Sequence, residues 1–242
     1  MTSLHRRAQL PASRTDQPVL AISRVTRTFG AAAAPITGVA AASCVLEPGM
    51  QIALTGPSGS GKSTLLHLMA ALDTPTSGTV SWPAFGDDRL AVRRRVGIVF
   101  QGPSLVPSLD VTENVSLPML FGGIAESLAA DRARAALVRL AIEDLAAKLP
   151  QELSGGQAQR VAVARVLAAA PMLILADEPT GQLDHTTGAK VIDVLLHACA
   201  ESGAALVVST HDPLIARRLP HEWTMRDGHL HTDTAPPKMA LA

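Results

Sequence analysis

The sequence predicts an α/β fold with a mostly parallel core sheet covered by helices on both faces. Three observations predict it. Short apolar runs of strand length, at 51–55, 96–100, 172–176 and 205–209, alternate with longer stretches of helical period. The first run enters a glycine-rich loop that opens a helix at 62–72. A proline-marked segment followed by an Ala/Arg/Leu-rich stretch interrupts the alternation at about 103–160, as an inserted helical subdomain does.

In chain order, 19–29 and 38–46 alternate as strands ahead of the Glu47-Pro48-Gly49 turn, which predicts an antiparallel N-terminal β subdomain. The buried run 51–55 follows, then the helix 62–72, closed by Pro75, Thr76, Ser77 and Gly78. Beyond the strand at 96–100, the segment 128–140 has helical period, and 155–170 and 188–202 read as further helices, one ahead of each of the two later strands. Residues 1–18 and 232–242 read as flexible tails flanking a single domain at 19–231.

Composition narrows the function. The 242 residues carry 21 basic and 21 acidic side chains and no net charge, which argues against a broad basic surface for nucleic acid. Aromatics make up 2% with no Tyr, so stacking platforms for single strands are absent and no nucleic-acid partner is expected. Cys44 and Cys199 sit alone in apolar stretches and read as small buried residues of a reducing compartment. The most apolar segments, 31–46 and 161–176, are interrupted by Pro35, Gly38, Arg165 and Pro171, and neither supplies the ~20 apolar residues of a spanning helix. The N-terminus has no apolar signal core, so the expected location is cytoplasmic.

The chemistry begins at Gly56, Pro57, Ser58, Gly59, Ser60, Gly61, Lys62, Ser63 and Thr64, which fit G-x-x-x-x-G-K-S/T between an apolar strand and an amphipathic helix. Glycines let backbone N–H groups converge on phosphate oxygens, and the helix N-terminus adds a favourable dipole. Lys62 is expected at the β- and γ-phosphates, Ser63 on Mg²⁺ and Thr64 near the α-phosphate. This is the mark of a P-loop nucleoside triphosphate binder. Asp177 and Glu178 end the apolar strand at 172–176, on the carboxyl edge of the sheet where ligands bind. Asp177 is placed to hold Mg²⁺, and Glu178 to act as general base on the attacking water.

Between these motifs stand Ser154, Gly155, Gly156 and Gln157 after Leu153. At a helix start they form a second anion site. With the phosphate loop before it and Asp177-Glu178 after it, this sequence resembles the ABC-type ATPases over about residues 19–231. The resemblance implies ATP and Mg²⁺ as ligands. It also implies a head-to-tail dimer of two copies, in which each phosphate loop meets the partner's Ser154–Gln157 segment. It implies further roles: Gln101 contacts Mg²⁺ and water, His211 meets the γ-phosphate, and Asp184 links the two sites. Phe29 falls where the family stacks an aromatic, commonly Tyr, on adenine; beside Gly30 it also suits a core position.

Within the family, the segments at 72–78, 113–118 and 176–184 resemble the lipoprotein-release, macrolide-export and cell-division ATPases. That implies an ATPase subunit on the inner face of the cell membrane, driving a separate permease in export or mechanotransmission. The permease is expected to dock near 103–118, against Leu105, Val106, Pro107 and Leu109. The alternatives are a soluble ABC ATPase and an ATP-switched regulatory module.

Overall fold

The computed structural model describes residues 17–30, 35–86 and 88–233. Of the two tails read from the sequence, all but Gln17, Pro18, Thr232 and Asp233 lie outside the described residues.

Strand β1 (Leu20–Phe29) pairs antiparallel with β2 (Ile36–Leu46) and, on its other side, with β4 (Ser77–Ser81). This three-stranded sheet is the expected β subdomain. β4 is the strand of this sheet that pattern reasoning missed, because its Ser-Gly-Thr composition offers no apolar period and its side chains are mostly exposed. Pairing with β1 makes it a strand, which shows how far context outweighs propensity in sheets.

The second sheet has the order β5-β6-β7-β3-β8-β9. Its strands are β3 (Gln51–Thr55), β5 (Val96–Val99), β6 (Leu173–Asp177), β7 (Ala205–Ser209), β8 (His221–Arg226) and β9 (His229–Thr232). Every pairing is parallel except β8 with β9. The two-residue period of the strands divides the core. Leu173, Leu175, Ala205 and Val207 pack with helix α1 (Lys62–Met69) and the β subdomain on one face. Ile174, Ala176, Leu206 and Val208 pack on the opposite face against α3 (Val111–Phe121), α4 (Glu126–Arg139), α5 (Gly155–Ala168) and α6 (His185–Ser202). Both faces are apolar, so these strands read as continuous runs and not as alternating ones.

Helix α1 stops three residues before the expected Leu72. Ala70 closes it and Ala71 turns left-handed at φ 55°, with the Ala71 carbonyl accepting from Arg89 and Arg93 at 3.3 and 3.0 Å. These arginines belong to α2 (Arg89–Arg95), a helix whose charge-rich sequence gave no periodic signal. Of the inserted helices, α3 and α5 start at capping boxes. Asp110 and Glu113 bond reciprocally to each other's amides at 2.8 Å at the start of α3. Asn114, fully buried, ties the preceding loop together by bonds to Val106, Leu109 and Asp110. Two 3-10 turns, Glu143–Leu145 and Pro150–Glu152, lead into α5. A short α7 (Pro213–Ala216) precedes β8.

Both cysteines are buried and free, as their apolar setting predicted. Desolvation pushes each thiol up to about 12. Neither forms thiolate near neutral pH, so the folded protein is expected to resist thiol reagents and to release two reactive thiols on denaturation. Fast labelling of either cysteine in the native protein, measured by a chromogenic disulfide at pH 8, is the contrary result.

Candidate functional site

The parallel register brings four strand ends to one edge. Asp177 pairs with Ser209, Ala176 with Val99, and Leu54 with Ser209. Beyond these ends lies a cleft of about 650 Å³. Its walls come from the phosphate loop and α1 (Ser58, Gly59, Gly61, Lys62, Ser63, Thr64), from Gln101 after β5, from Asp177 and Glu178, and from His211 after β7. Phe29, Ile36, Thr37 and Gly38 of the β subdomain complete it.

Gly56, Pro57 and Ser60 stand behind the lining and shape the loop. Gly56 has φ 141°, and a Cβ there would lie 2.1 Å from the Met225 carbonyl oxygen. A Cβ on Gly61, at φ 104°, would lie 2.0 Å from the Gly38 carbonyl oxygen. Only glycine permits this loop to nest against β2 and β8. The Gly228 amide pins it from the other side, donating to the Ser60 carbonyl at 3.1 Å. Lys62 is buried, and its ammonium donates to the carbonyls of Gly56 and Pro57 at 2.8 and 3.1 Å. Gly61 caps α1 with no side-chain bond and no acidic residue follows in the first turn, so its leading amides stay available to an anion.

At the acidic edge, Ser209 Oγ donates to Asp177 Oδ1 at 2.5 Å and accepts from the Glu178 amide at 3.0 Å. Ser209 is fully buried and holds the Asp177 carboxylate and the Glu178 backbone. Pattern reasoning missed it, since a serine ending an apolar strand carries no distinguishing signal. Glu178 adopts φ 49°, left-handed for a residue with a Cβ, a conformation that costs roughly 1–3 kcal/mol. Its Oε2 sits 2.6 Å from His211 Nδ1.

Gln101 is held indirectly by α5. Gln159 Nε2 donates to the Phe100 carbonyl at 3.2 Å, and Arg165 donates to the carbonyls of Ser104 and Pro103 at 2.9 and 3.4 Å. Ser104 is itself left-handed at φ 45°. Burial lowers the Arg165 pKa, so this guanidinium is a desolvated clamp on the loop.

Ser154, Gly155, Gly156 and Gln157 do not line this cleft. Ser154 and Gln157 instead cap their own helix, Ser154 Oγ accepting from the Gln157 amide at 3.2 Å and Gln157 Oε1 from the Ser154 amide at 2.8 Å. Their glycines lie against the 180–184 loop, where a Cβ on Gly155 would meet Gln182 Oε1 at 2.9 Å and one on Gly156 would meet Leu183 Cδ2 at 3.0 Å. Asp184 caps α6 by accepting from the Thr187 amide at 2.9 Å, and hydrogen bonding by the Thr187 side chain and amide holds its carboxyl below the usual range. It lines an adjoining depression with Glu178 and His211. In the expected docking segment Leu105, Val106 and Leu109 are half-buried and Pro107 is exposed, while Phe121 near by is 78% exposed.

The residues fit a magnesium nucleotide. Lys62 is a buried cation satisfied only by carbonyls, Ser60 Oγ is buried without a partner, and a Cβ at Gly59 would find nothing within 4 Å. The donors Ser63, Gln101 and Asp177 are hard oxygens, suited to Mg²⁺ that takes its remaining ligands from phosphate and water. No cluster of three or more His, Cys, Asp or Glu able to bind a metal by itself occurs among the described residues. Nor is any described helix long and apolar enough to cross a membrane.

Comparison with known proteins agrees with this geometry. Residues 39–181 match the ABC transporter family model. An ABC transporter ATP-binding protein of Mycobacterium tuberculosis is 40% identical, over 88% of this chain and 89% of its own length. The lipoprotein-releasing system ATP-binding protein LolD of Maricaulis maris is 41% identical, over 88% of this chain and 96% of its own. Among solved structures, the ATP-binding cassette MJ0796, dimeric in a post-hydrolysis state with ADP and Pi, superposes with a TM-score of 0.81 at 36% identity. That match covers 89% of this chain and 99% of the other.

Removing the Ser209 hydroxyl leaves one oxygen of a buried carboxylate without its donor. Ser209→Ala is expected to cost about 2 kcal/mol of stability and to weaken Mg²⁺-dependent nucleotide binding. Urea unfolding and nucleotide titration with and without Mg²⁺ measure both, and wild-type values in each would show that Ser209 does not position Asp177.

Proposed function

The chain belongs to the ABC transporter family as an ATP-binding subunit, and on that premise we propose that it hydrolyses ATP to drive a separate membrane permease, in export or mechanotransmission. The observation that carries this reading is the cleft itself. Four separate stretches of chain bring a buried lysine, a free helix N-terminus, two carboxylates, a glutamine and a histidine to one sheet edge.

Lys62 and the amides of the phosphate loop bind the triphosphate. Ser63, Asp177 and Gln101 hold Mg²⁺, which when bound neutralises charge on the phosphate oxygens. Glu178 accepts the proton of the attacking water, with its carboxylate aimed by the 2.6 Å contact to His211 and by its left-handed backbone. Ser154–Gln157 lies outside the cleft of its own chain and begins a helix, so it serves the nucleotide of a second copy in a head-to-tail dimer. The dimeric state of the MJ0796 cassette and the 89% coverage support this arrangement. Asp184, beside Glu178 and His211, faces the seam between the copies. The names of the LolD relatives support a permease partner and a place on the inner face of the membrane. The segment 103–118, a loop and the first turns of α3, extended by the exposed Phe121, is the docking surface.

Glu178→Gln keeps the shape of the site and removes the base. It is expected to bind ATP, to accumulate as a dimer and to hydrolyse at least 100-fold more slowly. Steady-state phosphate release and size-exclusion with ATP read this out; wild-type turnover in the variant would falsify the assignment. Phe121→Asp is expected to release the subunit from the membrane fraction of its native cells while ATP affinity persists. Retention on membranes overturns the docking surface.

A further inference from the structure

Phe29 does not stand alone. Its ring, 40% exposed and lining the cleft, carries the Arg27 guanidinium on one face, 4.5 Å from the ring centroid. Arg27 Nε in turn donates to Asp73 Oδ2 at 2.8 Å. Asp73 is fixed as well: its Oδ1 accepts from the Thr74 amide at 2.7 Å, and its own amide donates to the His67 carbonyl of α1 at 3.3 Å. At the ring's edge, a Cβ at Gly38 would reach Phe29 Cε2 at 2.9 Å and Thr64 side-chain atoms at 3.2 Å, so glycine lets the ring settle beside the phosphate-loop helix. The ring is thereby held on one face and at one edge before any ligand arrives.

We propose that Arg27, anchored by Asp73, is a positioning residue that turns Phe29 into a fixed, polarised platform for the purine base of the nucleotide. This rests on the nucleotide-binding reading of the cleft. A cation over one face draws electron density from the ring, so the opposite face stacks better on an electron-rich purine. The same cation stops the ring from rotating, which lowers the ordering cost of binding. The anchor at Asp73 also ties the platform to the end of α1, whose beginning holds the phosphates. Base and triphosphate are thus gripped by two ends of one rigid helix. The arrangement offsets the absent tyrosine hydroxyl with a cation supplied from the same strand.

The test compares ATP with inorganic tripolyphosphate, which has the phosphates and no base, by competition against a fluorescent nucleotide. In the wild type ATP binds more tightly than tripolyphosphate. Arg27→Ala is expected to weaken ATP about fivefold and leave tripolyphosphate unchanged. Arg27→Lys, which keeps a cation without the flat guanidinium, falls between them and guards against misfolding of the alanine variant. In a Phe29→Ala background the Arg27→Ala effect should vanish, because the two residues act through one ring. An equal loss of ATP and tripolyphosphate, or the same loss in both backgrounds, overturns the proposal and makes Arg27 structural. If the wild type binds neither probe, the nucleotide reading itself fails, and this inference falls with it.

Discussion

The parallel register of β3, β5, β6 and β7 is the constraint on which everything functional depends. It places Thr55, Val99, Asp177 and Ser209 at one edge of one sheet. A parallel strand must be followed by a crossover, so each strand delivers its next residues to the same side of the molecule. The phosphate loop, Gln101, Glu178 and His211 are those next residues. An antiparallel arrangement would scatter them between two edges. The two apolar layers that cover the sheet hold this register, and slipping a strand by one residue would exchange its Leu173/Leu175 face with its Ile174/Ala176 face.

Around that edge the molecule gathers local charge and two of its left-handed non-glycine residues. Its net charge is zero, so phosphate affinity has to come from short-range groups: loop amides, the helix N-terminus and a buried Lys62. Glu178 and Ser104 are both left-handed residues with a Cβ, and both lie in segments that bear on the cleft. Helix α5 reaches the site twice without entering it, through Gln159 and Arg165 on the loop after β5. The helix that starts at Ser154 therefore touches the loop carrying Gln101. A displacement of α5 has a direct mechanical route to the cleft.

Much of this was legible in the sequence, for reasons that can be traced to particular residues. The apolar runs at 51–55 and 205–209 coincide with β3 and β7 because strands buried on both faces need continuous apolar sequence. The loop from Gly56 to Thr64 is readable because few residue types satisfy its backbone angles and its phosphate chemistry together. β4 and α2 were not legible. The first is an edge strand with no apolar face, and the second is a run of arginines whose work is to cap the end of α1.

By itself the sequence singled out the residues proposed to carry the chemistry, and their order, because motif spacing reflects local geometry within a strand, loop or helix start. Only the tertiary structure decided which of them share a cleft. It gathered Phe29, the phosphate loop, Gln101, Asp177, Glu178 and His211, and left Ser154–Gln157 outside. It also revealed the partners that no motif announces: Ser209 beneath Asp177, Arg27 over Phe29, and Arg165 on the loop after Gln101. Those contacts join residues far apart in the chain. Their existence depends on register and packing, which local sequence does not encode.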